Sequence, residues 1–289
     1  MIAPAWAAAI TAALVVAGDQ VNRRVVGWLP DDVPRPGRKD HRRPVPLGGV
    51  LLVPAVAAYG AASEAWLLLA AALLGAAIGF VDDRGKERDS ALGNGGLDWR
   101  VKAAGLLVSA ALVAAAVADP LHDPWRWTAA FGLVFVLTNA VNFLDNTDGV
   151  TAAMAAALLI CLGLFALPPA PARDVSLAAG FAALGFLGFN WPRPRLFLGD
   201  AGAYTLGVCV GYATAHAALA TPHWLLAAAV PLGDFTQVVL MRLVLGLPPW
   251  VGDRRHLTHI AQNLGLHRAA VAPLFAAVTV GCCVAARAI

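Results

Sequence analysis

Most carboxylates and histidines in this chain that could do chemistry sit in five short polar clusters. They are Arg38–Gly49 (RKDHRRPVPLGG), Gly79–Lys86 (GFVDDRGK), Asn139–Gly149 (NAVNFLDNTDG), Phe197–Gly207 (FLGDAGAYTLG) and Asp253–His259 (DRRHLTH). Asp82 and Asp83 are adjacent, and neighbouring carboxylates repel. Such a pair points to a divalent cation or basic partners that neutralise it, or to a helix end in water. Asn142, Asp145 and Asp148 recur at i, i+3 and i+6, which aligns them on one helix face unless the helix ends near Gly149. With Asn139 and Asn146 they form a patch of amide and carboxylate oxygens. Such a patch suits a hard cation like Mg²⁺, which takes phosphate oxygens as further ligands. A hydrated helix terminus explains the same residues without a metal.

Asp200 lies between Gly199 and Ala201-Gly202, just before an apolar stretch. Glycines allow close backbone approach and a helix start offers N–H groups to a phosphate, but the same aspartate could simply cap that helix. Arg254, Arg255, His256 and His259 offer two guanidinium groups and two titratable rings in one loop. That set can bind a diphosphate, or be bystander charge; zinc is the less expected ligand, as no cysteine accompanies it. Asp234 falls inside an apolar run, Pro231-Leu-Gly-Asp-Phe-Thr. A carboxylate there is costly, so it is either functional or paired with a buried partner that fixes packing.

The elements that must position these residues are apolar. The 289 residues are 59% hydrophobic and 13% charged, with mean hydropathy +0.68, against about a quarter charged in an average soluble domain. A bilayer-crossing helix needs roughly 17–25 apolar residues, and only helices satisfy every backbone group in one segment. The fold class expected is an all-α, polytopic membrane protein of about ten spans. These are placed at residues 2–18, 47–62, 65–81, 102–118, 126–144, 150–167, 175–190, 201–219, 224–245 and 269–287. Pro54 weakens the second span and glycines weaken the seventh. The whole chain, 1–289, reads as one transmembrane catalytic domain with polar loops at 19–46, 82–101, 145–149, 191–200 and 246–268.

If the loop holding Arg23, Arg24, Arg35, Arg38, Lys39, Arg42 and Arg43 is cytoplasmic, only Arg126, Arg173 and Arg287 of the 21 Lys and Arg residues fall on the opposite side. That positive-inside bias puts both termini outside and all five clusters at the cytoplasmic face. The net charge of +3 is therefore juxtamembrane charge, not a nucleic-acid surface. Cys161, Cys209, Cys282 and Cys283 lie in spans as packing residues. The first apolar stretch lacks a positive leading region, so it reads as a retained span and not a cleaved signal. Tryptophans such as Trp28, Trp66, Trp99 and Trp250 fall near span ends, as interfacial anchors do.

In order and topology, the clusters resemble the polyprenyl-phosphate N-acetylhexosamine-1-phosphate transferase family, glycosyltransferase family 4. It includes bacterial undecaprenyl-phosphate GlcNAc-1-phosphate transferases and phospho-N-acetylmuramoyl-pentapeptide transferase. The resemblance runs from about Arg38 to His259. It implies that Asp82, Asp83, Lys102, Asp145 and Asp148 are catalytic and that Asn139, Asn142, Arg254, Arg255, His256 and His259 bind substrate. Asn142, Asp200 and Asp145 would hold Mg²⁺, with Mn²⁺ as the alternative. The implied reaction moves a sugar-1-phosphate from a UDP-sugar to a polyprenyl (undecaprenyl) phosphate at the cytoplasmic face of the inner (plasma) membrane, releasing UMP. The implied partners are those two substrates and the lipid bilayer, with no nucleic acid and a homodimer left open. A polyprenyl monophosphate with a second pKa of about 6 is mostly dianionic at pH 7, so Asp82 and Asp83 are expected to position metal or lipid phosphate and not to act as bases.

Three positions depart from the family's pattern. Its Asp-Gly-x-Asp-Gly reads Asp145-Asn146-Thr147-Asp148-Gly149, its last-loop His-x-His-His reads His256-Leu257-Thr258-His259, and a glutamine common four residues after the lysine is Leu106. The missing histidine argues against the muramoyl-pentapeptide enzyme and keeps an inactive homologue in view. A transporter, with its site near the bilayer midplane, would rest on Asp234 alone.

Overall fold

The computed structural model describes residues 3–24, 27–34, 43–88, 95–250 and 252–289. Arg38–Arg42 of the first cluster lie outside these residues. Each apolar segment is helical: α1 Trp6–Arg24, α2 Val53–Ala62, α3 Trp66–Arg88, α4 Trp99–Val117, α5 Pro124–Leu144, α6 Val150–Phe165, α7 Ala172–Asn190, α8 Gly199–Ala220, α9 Ala229–Val244 and α11 Arg268–Ala288. A short helix, α10 Leu257–Asn263, lies in the last loop. The chain is an all-α membrane protein, and six helical runs among the described residues are long and apolar enough to cross a bilayer: α3, α4, α5, α7, Pro222–Val244 and α11.

Local chemistry sets the boundaries. A 3₁₀ turn, Gly49–Leu52, leads into α2, and Pro54 sits in the first turn of α2, where its missing N–H is not needed, so it does not break the helix. Asp98 and Asp123 cap α4 and α5, accepting from Arg100 N at 2.8 Å and Arg126 N at 3.1 Å. Two expectations fail here. The helix α3 runs on to Arg88, so Asp82, Asp83 and Lys86 lie on a helix and not in a loop starting at residue 82. The helix α5 stops at Leu144, so Asp145 and Asp148 are not on one helix face with Asn142.

At the centre stands α8, buried continuously from Ala201 to Ala215 and packed by α3, α4, α5, α6 and α7. Lipid tails are as apolar as leucine, so such packing relies on close contact between small residues. Gly207 of α8 meets the Thr138 backbone of α5, where an added Cβ would lie 2.9 Å from Cα. The only strands among the described residues, β1 Asp31–Asp32 and β2 Val45–Pro46, pair antiparallel with Asp31 opposite Pro46.

Candidate active site

The site is built around the turn that starts α8. Gly79 and Asp83 lie one turn apart on α3. A Cβ on Gly79 would sit 2.3 Å from Ala201 N and 2.4 Å from Asp200 C, so glycine lets α3 lie directly on that turn. One turn further, Asp83 accepts from Asp200 N and Ala201 N, both at 3.3 Å. The cap of α8 is therefore Asp83 on a neighbouring helix, and Asp200 is not its own helix's N-cap. Gly199 has φ +66°, a left-handed geometry that glycine adopts without strain. The end of the first cluster reaches the same turn: Gly48 N donates to Phe197 O at 2.8 Å and Gly49 N to Leu198 O at 3.0 Å.

Ligating oxygens of Asp82, Asp83 and Asp200 lie within 4.8 Å of one another. Asp82 and Asp83 are almost completely buried. Lys86 Nζ stands among them, 2.7 Å from Asp82 Oδ2, 2.8 Å from Asp200 Oδ2 and 4.0 Å from Asp83 Oδ1. Lys102 Nζ is 3.3 Å from Asp82 Oδ2, and Leu97 N donates to Asp82 Oδ1 at 2.6 Å. Sequence reasoning missed Lys86, although its i+4 spacing from Asp82 was the signal. Three carboxylates against two ammonium groups leave a negative excess. The oxygen-rich donor set with that excess fits a hard divalent cation.

Asn142 joins this group, its Nδ2 donating to Asp200 Oδ1 at 3.1 Å. Burial and the nearby Asp200 charge push the Asp145 carboxyl up to about 7. Asp148 instead pairs with Arg268, Oδ2 to Nε at 2.9 Å and Oδ1 to Nη2 at 2.9 Å. Asn139 donates to Phe135 O of its own helix at 2.8 Å and is not among the residues lining the cavity.

The cavity measures about 770 Å³, and its lining includes Asp83, Lys86, Lys102, Asn142, Asp145 and Asp200 together with Arg254, His256, His259 and the Asp148–Arg268 pair. Arg255 is absent from its lining: its guanidinium binds Asp253 Oδ2 at 2.8 Å. Burial alone would raise the Asp253 carboxyl, but hydrogen bonds from Arg242 and Arg255 hold it down at about 2. Asp234 is fully buried and holds the last loop, with Oδ2 2.8 Å from His256 Nδ1 and Oδ1 accepting from Leu257 N at 2.7 Å. At one edge Trp99 and Trp250 stack with centroids 4.4 Å apart.

Comparison with known proteins places this geometry. The model of glycosyl transferase family 4 matches residues 65–218. The chain is similar to decaprenyl-phosphate N-acetylglucosaminephosphotransferases: that of Mycolicibacterium smegmatis is 30% identical over 240 residues, covering 68% of this chain and 56% of that protein. The Mycobacterium leprae protein of the same name is 28% identical over 251 residues, covering 72% and 59%. Phospho-N-acetylmuramoyl-pentapeptide-transferase of a Synechococcus strain is 39% identical over 116 residues, covering 39% and 33%. The chain thus spans little more than half the length of the first two relatives. The family match runs from the residue before α3 into the last turn of α8, so it contains the whole acid cluster with both lysines, and the chain belongs to glycosyl transferase family 4.

Proposed function

We propose that this chain transfers a sugar-1-phosphate, an N-acetylhexosamine phosphate, from a UDP-sugar to a polyprenyl phosphate. The observation that carries this reading is the acid cluster of Asp82, Asp83 and Asp200 with Lys86 at its centre, whose Asp83, Asp200 and Lys86 line a cavity that Lys102, Arg254 and His256 also line. One substrate arrives through lipid and the other through water, and a polar cavity at one end of an apolar bundle is where they can meet. The positive-inside bias supports a cytoplasmic site with outward termini if the ten apolar segments all cross the membrane. The name of the Mycolicibacterium smegmatis relative supports a polyprenyl-phosphate acceptor and an N-acetylhexosamine phosphate as the group moved.

An oxygen of the polyprenyl phosphate attacks the β-phosphorus of the UDP-sugar. A new P–O bond forms, the bond to the oxygen bridging the α-phosphate breaks, and UMP leaves with that oxygen. Asp200, Asp82 and Asp83, with Asn142 and Asp145 beside them, would hold a Mg²⁺ ion, which supplies charge neutralisation on the diphosphate and leaving group. Lys102 and Arg254 line the cavity as phosphate ligands, the guanidinium suited to bidentate recognition. Asp82 accepts from Leu97 N, Lys86 and Lys102, and Asp83 from two backbone N–H groups. Carboxylates committed in this way position their neighbours, and a dianionic phosphate needs no base.

Asp234, the residue on which a transport reading rests, uses both oxygens to hold His256 and Leu257. The test is direct: purified protein, Mg²⁺, undecaprenyl phosphate and a panel of UDP-sugars release UMP with one of them. Chelation abolishes the release, and Asp200→Ala behaves like chelation. No UMP from any donor would overturn the reading in favour of an inactive homologue.

A further inference from the structure

Two departures from the family's motif pattern, Asn146 in the third cluster and Thr258 in the last, touch each other. Thr258 Oγ1 donates to Asn146 Oδ1, 112 residues away in sequence. The same oxygen accepts from Thr147 Oγ1 at 3.1 Å, and Asn146 Nδ2 donates to Phe143 O at 2.9 Å. Gln262 Nε2 extends the link, reaching Thr147 Oγ1 at 3.3 Å and Thr258 O at 3.1 Å. Thr258 is fully buried. Asp145 and Asp148 flank Asn146, and His256 and His259 flank Thr258, so the contact ties the acidic turn to the helix that presents the imidazoles.

The position is sterically exclusive. A histidine at 258 is larger than threonine and would need enclosed space that the Asn146 side chain fills, whereas glycine at 146 would vacate it. Exchanging asparagine with threonine for glycine with histidine roughly conserves the summed side-chain volume, the kind of change a packed site tolerates best. The first is neutral and closed by a hydrogen bond; the second puts a titratable ring at the cavity rim.

We propose that Asn146 and Thr258 act as one exchangeable unit that sets the spacing between the acidic turn and the histidine helix, and through it the choice of sugar in the nucleotide-sugar donor. This rests on the transferase reading above, and two cycles of variants test it. In the first, Asn146→Ala and Thr258→Val both remove the Thr258–Asn146 hydrogen bond, the former together with the Asn146 bonds to Thr147 Oγ1 and Phe143 O. The ratio of kcat/KM for UDP-N-acetylglucosamine over UDP-N-acetylgalactosamine is expected to change about fivefold in each, with no further change in the double variant. In the second, Thr258→His lowers the thermal midpoint and UMP release, and adding Asn146→Gly restores both. A donor ratio unchanged in every variant, or single effects that multiply independently, would overturn the proposal. If the wild type releases no UMP, the transferase reading fails; the thermal cycle then still decides whether the pair is one unit.

Discussion

Gly79→Ala tests the architecture of the acid cluster more sharply than removing an acid. A Cβ at this position falls short of the 3.4 Å at which ordinary contact begins by about 1 Å, and it meets backbone atoms of Asp200 and Ala201, not a flexible side chain. Either α3 or the α8 turn must therefore move by about that distance, which separates Asp83 from the two N–H groups it caps and Lys86 from Asp200. A displacement of ~1 Å in a reacting constellation costs about a hundredfold in rate. Overpacking costs ~1–3 kcal/mol, partly offset by the ~1 kcal/mol that alanine gains over glycine in a helix. Turnover measured as UMP release should thus fall about a hundredfold while the thermal midpoint falls only slightly. Gly132→Ala on α5, where an added Cβ meets nothing within 4 Å, is the control and should keep wild-type turnover. A Gly79→Ala protein with more than half of wild-type turnover would refute the packing argument.

Asp82→Asn keeps the shape but weakens charge-assisted bonds of ~1.5–3 kcal/mol, so turnover at pH 8 should drop about 10- to 150-fold; a loss of many orders of magnitude with unchanged Mg²⁺ affinity would restore the base reading. Lys86→Met leaves three clustered carboxylates with only Lys102 beside them, so its thermal midpoint should fall without Mg²⁺ and recover with it more than the wild type's does; equal Mg²⁺ responses in scanning fluorimetry would contradict this. Asp234→Ala strands the His256 imidazole and Leu257 N, an expected loss of ~2–6 kcal/mol, since each unsatisfied buried group costs ~1–3; an unaltered midpoint and unaltered proteolysis of the α9–α10 loop would count against it.

The sequence displays its spans because lipid-facing helices must be apolar, and each apolar segment is a helix. It displays the acids because buried carboxylates are rare in such a chain. The pairing between clusters is hidden, since nothing local to Asp83 reveals that it caps a helix 117 residues away. Helical periodicity carried past Leu144 misplaces Asp145 and Asp148, as it does not register that the chain turns there. Asn139 and Arg255 have the side chains expected of ligands, but closer partners at Phe135 O and Asp253 take their donors. Asp234 was legible as costly, and its partner became visible only when the last loop folded over it.

The enclosure of α8 divides the site by stiffness. Asp200 stands on a helix gripped by α3, α4, α5, α6 and α7, and Asp82 and Asp83 are joined to that post through backbone contact, so the acids behave as an anvil. The histidines sit on and just before α10, which rests on α11 and is otherwise tied by hydrogen bonds joining His256 and Leu257 to Asp234, Thr258 to Asn146 and Gln262 to Thr147. On the transferase reading proposed above, any widening that admits a bulky donor or lets UMP out would be met by this lighter arm, while the acid cluster would keep its dimensions.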